Sequence, residues 1–137
     1  MNSSTLISTG IILLAVVGVA YGGTFLLRVV GGGVPVNDLQ RSYFRAGHAH
    51  AGVLIILGLV VRILVTHPDV PGWTAQGADG VLFAAILMPA GFFLSVIGRD
   101  PARPNGLRAL IWIGALSLTV GLVAAGVGLI MAGAAAA

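Results

Sequence analysis

Residues 107–134, LRALIWIGALSLTVGLVAAGVGLIMAGA, form a long apolar stretch whose only charged residue, Arg108, stands near its start. A helix needs about 20 apolar residues to cross the hydrocarbon core of a bilayer, and this stretch is longer. Within lipid, a segment must satisfy its own backbone hydrogen bonds, which a helix does. The stretch therefore predicts a transmembrane helix.

Three further stretches of the same kind precede it, at residues 5–30, 39–66 and 80–98. The connections between the four are rich in glycine and proline, and Asn37 or Asp38 is placed to cap the second helix. Short connections place consecutive helices side by side and antiparallel. We therefore predict an all-α fold in which residues 1–137 form a single domain, a four-helix transmembrane bundle.

Composition excludes several classes of protein. Only 8% of the residues are charged, against about a quarter in soluble globular domains, which excludes a water-soluble domain. The hydrophobic fraction of 58% excludes a disordered chain. The absence of cysteine excludes disulfides, thiolate metal sites and thiol catalysis. All 7 basic residues are arginines at the edges of apolar stretches, so we expect the lipid bilayer as a partner and no nucleic acid.

The arginines also predict how the bundle is oriented. Most of them flank the first and third loops, namely Arg28, Arg41, Arg45, Arg99, Arg103 and Arg108. The second loop holds Asp69 and Asp79, with Arg62 as its only nearby cation. Because cytoplasmic loops carry the excess of positive charge, we expect both termini on the outer side (N-out/C-out) of a bacterial inner (plasma) membrane. Residues 1–10 lack a basic region, so the first helix is expected to be retained.

Small residues recur at helical spacing in every stretch. Close packing of small residues replaces the hydrophobic effect between helices in lipid. We therefore expect these stripes to form helix contacts, either within one chain or between copies in a homo-oligomer or a larger membrane complex. The stripes are Gly18/Gly22, Gly47/Ala51 with Gly58, Gly91/Ser95, and Gly114/Gly121/Gly128.

Residues 41–52, RSYFRAGHAHAG, differ from the rest of the chain because they place ionisable side chains at the start of a membrane helix. Such side chains are costly at membrane depth and point to a function. His48 and His50 are separated by about 200° around a helix, so they are expected to face opposite sides. His48 shares a face with Arg41 and Arg45, whereas His50 shares the small-residue face.

Three roles remain open for the two histidines: structural hydrogen bonding, ligation of haem or a metal, and acid–base chemistry. Structural partners are expected at similar depth, in a polar cluster of Tyr21, Thr24, Ser95 and Ser117. Haem b is the most economical cofactor because it needs only one or two axial ligands. Arg41 and Arg45 are placed to pair with its propionates.

Copper or zinc usually needs three or four ligands, so His48 and His50 would bind either metal at an oligomer interface. A protein without any cofactor is the remaining alternative. The candidate cofactor-binding residues are therefore His48, His50, Arg41, Arg45 and Tyr21, and the candidate metal ligands are His48 and His50.

The run YFRAGHAHAG at residues 43–52 resembles the His-x-His helices of the haem-copper oxidase and nitric oxide reductase superfamily. In those helices, histidines on opposite faces serve different redox centres, so the resemblance implies His48 and His50 as axial ligands. The chain lacks the further histidines that a dinuclear centre needs. The whole chain resembles small four-helix membrane proteins of actinobacteria with an FRxGHAHAG-type second helix, which implies a fold and no activity. In plan it is also similar to the hydroxylaminobenzene mutase family of small membrane enzymes.

Three functional hypotheses follow. The first is a haem- or metal-binding, redox-associated membrane protein that uses His48 and His50. The second is a small membrane isomerase or related enzyme, in which a histidine acts as acid–base on a hydrophobic substrate. The third is a structural subunit or a small oligomeric channel.

Overall fold

The computed structural model describes residues 3–137 and contains four long helices within that range. They are α1 (Ser3–Val30), α2 (Asp38–Leu64), α3 (Thr74–Ser95) and α4 (Ala109–Ala135), the last preceded by a 3-10 helix at Gly106–Arg108. All four are long and apolar enough to cross a membrane, so the described chain has the architecture of a multi-pass membrane protein. The prediction of an all-α four-helix fold is confirmed for these residues. Met1 and Asn2, which belong to the predicted domain, lie outside them.

The third helix differs most from its predicted limits, residues 80–98. It begins at Thr74, whose backbone N–H and hydroxyl donate to the carbonyl of Pro71 at 3.0 and 2.6 Å. The predicted apolar stretch began at Gly80, directly after Asp79. In the structure Asp79 belongs to α3 and pairs with Arg62 of α2 at 2.6 Å. This pairing offsets the cost of a carboxylate within a membrane-length helix.

Consecutive helices pack side by side and run antiparallel. Positions on α3 and α4 meet in opposite order, since a Cβ added at Gly114 would contact Met88, whereas one at Gly128 would contact Thr74. The pairs α1–α2 and α2–α3 meet in the same reversed order. Helix α3 contacts both α2 and α4 extensively, whereas α1 packs mainly against α2. Three of the helices therefore form a compact unit to which α1 is added on one side.

Glycines bring the backbones of α3 and α4 into contact. A Cβ built on Gly121 would lie 2.6 Å from the carbonyl oxygen of Gly77, a distance that real Cβ atoms essentially never show. Ser117 of α4 donates from its hydroxyl to the carbonyl of Gly80 at 2.8 Å. The stripe Gly114/Gly121/Gly128 is thus a contact within the chain. It is not left free as an interface between copies.

Hydrogen bonds join the first and third loops at one end of the bundle. Asn37 caps α2 in a capping box with Gln40, and its side-chain amide donates to Oδ1 of Asp100 at 2.9 Å. Gln40 is buried and donates from Nε2 to the carbonyls of Val96 and Gly98 at 3.1 and 3.0 Å. We call this the arginine-rich end because it carries Arg28, Arg41, Arg45, Arg99, Arg103 and Arg108.

The opposite end carries the remaining charged groups. Nη1 of Arg62 lies 2.6 Å from Oδ1 of Asp79, and this pair joins α2 to α3. His67 is exposed, and its Nδ1 lies 3.4 Å from Oδ2 of Asp69. The second connection therefore holds one acidic residue fewer than predicted, since Asp79 belongs to the helix that follows.

Candidate functional site

The two histidines of α2 face different neighbouring helices. A Cβ built on Gly22 of α1 would lie 3.9 Å from Nδ1 of His48, and one on Gly23 would lie 3.5 Å from Nε2. The ring of His50 faces α3 instead, with its centroid 4.9 Å from that of Phe92. The two imidazoles thus lie on opposite sides of α2, as helical geometry predicted.

An apolar cleft of about 500 Å³ lies beside His48, between α1 and α2, and is open along one side. We call it the His48 cleft. His48 is the only ionisable side chain among its lining residues. They are Ala15, Gly18, Val19, Gly22, Phe25, His48, Ala51 and Phe93. The cleft therefore lies along two membrane-length helices.

The glycines of α1 lie beside this site. Cβ atoms built on Gly22 and Gly23 would lie 3.5–3.9 Å from the ring of His48, which is ordinary van der Waals contact. At Gly18 an added Cβ would meet nothing within 4 Å. The small-residue pattern predicted that the Gly18/Gly22 stripe would bring two helix backbones together, and among the described residues it does not. Gly22 lies beside the imidazole of His48, and Gly18 borders open volume.

The polar cluster expected around the histidines is absent from the described residues. Tyr21 is 78% exposed and does not line the His48 cleft, and the hydroxyl of Thr24 donates to the carbonyl of Tyr21 at 2.7 Å. Ser95 and Ser117 likewise donate to backbone carbonyls, those of Phe92 and Gly80. None of these hydroxyls hydrogen-bonds to His48 within the described residues, because each donates to a backbone carbonyl or, for Tyr21, lies on the exposed surface.

His48 makes no hydrogen bond or ion pair with any residue of the range 3–137, although its side chain is partly buried. His50 differs, because its Nδ1 lies 2.7 Å from the carbonyl oxygen of Ala46. A carbonyl oxygen only accepts, so Nδ1 of His50 donates this hydrogen bond. His48 is therefore the imidazole that lacks a partner among the described residues, and His50 is oriented by a backbone carbonyl.

Aromatic rings close the cleft towards the arginine-rich end. Phe44 of α2 contacts Phe25 of α1 edge to face and stacks on Phe93 of α3, with both pairs of centroids 5.5 Å apart. Phe25 and Phe93 also line the cleft. Sequence reasoning missed these two side chains, because an isolated phenylalanine in an apolar helix carries no spacing signal that sets it apart from lipid-facing residues.

The two candidate arginines lie outside the cleft. Nη1 of Arg41 pairs with Oδ1 of Asp38 at 3.1 Å, and both side chains are substantially exposed. Arg45 is exposed and makes no ion pair with the described residues. The structure thus brings neither arginine into contact with the cleft beside His48.

Ligand geometry restricts which cofactors the chain can hold alone. Among residues 3–137, no three His, Cys, Asp or Glu side chains lie close enough together to hold a metal ion. The ring of His48 lies beside α1, 3.5–3.9 Å from Cβ positions built on Gly22 and Gly23. A group bound to His48 would therefore share its surroundings with that helix.

Comparisons with family models, with curated proteins and with solved structures found no match to this chain. The likeness of residues 43–52 to the His-x-His helices of the oxidase superfamily therefore stays an expectation. The same holds for the actinobacterial and mutase-like resemblances.

Proposed function

We propose that this membrane protein binds a lipophilic small molecule in the His48 cleft, with the imidazole of His48 as the polar contact. The observation that carries the proposal is an imidazole at membrane depth with no hydrogen-bond partner among the described residues, beside open apolar volume. The side chain of His48 is partly buried, and an intramolecular hydrogen bond contributes about 0.5–1.5 kcal/mol. A ligand that supplies this hydrogen bond gains free energy of that order, so the site favours a molecule with one polar atom.

The lining residues define the class of ligand. Phe25 and Phe93 offer aromatic rings, and Val19 adds aliphatic surface. The body of the ligand is therefore apolar, and an aromatic ring is favoured because it can pack against the two phenylalanines. A volume of about 500 Å³ lies within the range of small-molecule sites, about 300–1,000 Å³. An aromatic ring that bears a carbonyl, as in lipid-soluble quinones, meets both requirements. This class also retains the redox association expected from the sequence.

An enzymatic version of the proposal uses the same residue. His48 is the one side chain lining the cleft that can give or take a proton, so it would be the acid–base group for a substrate bound there. This version corresponds to the small membrane isomerase of mutase-like plan. Binding is common to both versions and is therefore the property to test first.

Replacing His48 with alanine is expected to weaken binding of a short-chain benzoquinone by about tenfold, which corresponds to one lost hydrogen bond. Binding is measured on the purified protein as the concentration-dependent rise in Tm. His67→Ala is the matched control, because His67 is exposed and distant from the cleft. The proposal is contradicted if the His48 variant, still folded by circular dichroism, binds the benzoquinone as tightly as the His67 variant.

A second candidate function is ligation of haem, copper or zinc by His50 between copies of the chain. The observation in its favour is the hydrogen bond from Nδ1 to Ala46 at 2.7 Å. Histidine ligands of metals are commonly oriented in this way through their other nitrogen. Because His48 faces the other side of α2 and no group of three metal-binding side chains exists among the described residues, the site requires a homo-oligomer.

Protein purified from haem- and metal-replete cells is expected, on this second candidate, to show a Soret band or bound metal that His50→Gln removes. His48→Gln is the control and should leave the signal intact, because His48 faces the other side of α2. Wild-type protein without a Soret band and without bound copper or zinc would rule out this candidate and leave the His48 proposal untouched.

We also propose an orientation and an assembly. The arginine-rich end lies in the cytoplasm of a bacterium and both termini lie outside the plasma membrane, since positive charge is retained on the cytoplasmic side. A homo-oligomer would use α1, because Gly10 and Gly18 of that helix face no neighbour within the described residues, whereas the α4 stripe is occupied. A structural subunit of a larger membrane complex would use the same face.

A further inference from the structure

A groove of about 830 Å³ lies at the arginine-rich end, between the start of α4 and the facing parts of α2 and α3. We call it the Arg108 groove. Its lining combines a charged and a phenolic side chain, Arg108 and Tyr43, with the apolar side chains Phe92, Ile111 and Trp112. It is separate from the His48 cleft, with which it shares no lining residue.

The polar and apolar parts of the groove follow one another along the membrane normal. Arg108 ends the 3-10 helix that precedes α4, and Trp112 lies four residues later in the first turn of α4, where both line the groove. Arg108 stands at the helix start, where the membrane surface is expected, and Trp112 lies one turn deeper and is 76% exposed. Tyr43 of α2 contacts Phe92 edge to face with centroids 5.6 Å apart. The groove is therefore charged at the rim and aromatic inside.

The charge around this groove is not neutralised by the protein. The arginine-rich end has two acidic side chains, Asp38, which pairs with Arg41, and Asp100, which accepts a hydrogen bond from Asn37. Arg108 makes no ion pair or side-chain hydrogen bond with the described residues. The same is true of Arg28, Arg45, Arg99 and Arg103.

We propose that the Arg108 groove binds an anionic phospholipid of the surrounding bilayer. The guanidinium of Arg108 and the hydroxyl of Tyr43 donate hydrogen bonds to the phosphate, and an acyl chain lies against Phe92, Ile111 and Trp112. Arginine suits this role because its planar donors bind phosphate oxygens in pairs. A lipid with a net negative headgroup is favoured over a zwitterionic one, because the five unpaired arginines repel a choline or ethanolamine group.

Fluorescence of Trp112 reports occupancy of this groove directly. Trp73 and Trp112 are the two tryptophans of the chain and lie at opposite ends of the bundle, so Trp73→Phe leaves Trp112 as the only tryptophan. In bilayers of phosphatidylcholine that contain brominated phosphatidylglycerol, quenching gives the preference of the site for the anionic lipid. We expect brominated phosphatidylglycerol to be preferred over brominated phosphatidylcholine about fivefold, the effect of roughly one arginine at the membrane surface.

Arg108→Gln in this background is expected to remove most of the preference, and Tyr43→Phe to reduce it in part. Arg99→Gln is the matched control, because it removes the same charge from the same end but lines a different groove with Asp100. Equal quenching by the two lipids at Trp112 would overturn the proposal. So would an equal loss in the Arg99 and Arg108 variants, since that result assigns the preference to the general charge of this end and not to a site.

Discussion

Gly121→Val is expected to separate α3 from α4 and to abolish the native bundle or destabilise it by about 3 kcal/mol or more, the upper end of the cost of overpacking. A Cβ at this position would lie 2.6 Å from the carbonyl oxygen of Gly77 and 2.9 Å from the backbone nitrogen of Val81. Both atoms belong to the backbone of α3, so no side chain can rotate away to relieve the overlap. Unfolding in a denaturing detergent, followed by circular dichroism, measures the change.

Gly126→Val is the control for this experiment. Gly126 lies in the same helix, and an added Cβ there would meet nothing within 4 Å. The substitution is the same, so its effects on helix propensity and hydrophobicity are matched. We expect the Gly126 variant to unfold close to the wild type. Equal destabilisation of the two variants would show that α3 and α4 do not meet along the face that contains Gly121.

Asp79→Ala is expected to destabilise the bundle by about 1–3 kcal/mol, because it leaves the guanidinium of Arg62 without its partner. The Arg62 side chain is only 21% exposed, and its Nε is buried without a hydrogen bond within residues 3–137. Arg62→Ala should cost less, since the carboxylate that remains is 50% exposed and can be solvated in the headgroup region. Unfolding midpoints of the single variants and of the double variant give the coupling between the two residues.

The exposed pair at the other end of the bundle provides the comparison. Asp38 is 98% exposed and pairs with Arg41, which is 43% exposed. Exposed pairs contribute about 0.2–1 kcal/mol at most, so Asp38→Ala should leave the unfolding midpoint nearly unchanged. If Asp79→Ala also leaves the unfolding midpoint unchanged, the Arg62–Asp79 pair does not hold α2 against α3.

The helical architecture could be predicted from the sequence, because a segment that crosses lipid has few backbone conformations that satisfy its hydrogen bonds. Long apolar runs must become helices, and Asn37 capped α2 as its residue type predicted. The apolar pattern missed the first turn and a half of α3, because it stopped at Asp79, whose partner Arg62 lies on another helix. Local sequence specified the charge but not its partner.

The same distinction applies to the candidate site. Helical spacing predicted that His48 and His50 would face opposite sides, and they do. It could not predict that Gly22 would receive a ring rather than a neighbouring backbone, since a small residue permits either contact. The Gly114/Gly121/Gly128 stripe shows the other outcome, where the same residue type admits a helix. Which of the two occurs depends on the size of the facing residue, and that pairing is a property of the tertiary structure.

The helices that are synthesised first, α1 and α2, pack against each other less extensively than the last two, α3 and α4. Helices α1 and α2 leave the ribosome first, yet α1 contacts little besides α2, and an open cleft lies between the two. Helix α3 exposes the backbone at Gly77 and Gly80 until α4 has entered the membrane and covered it. A nascent chain that stalls before residue 109 therefore presents a bare small-residue face to the insertion machinery and to membrane proteases. Insertion of α4 is the step that covers this face.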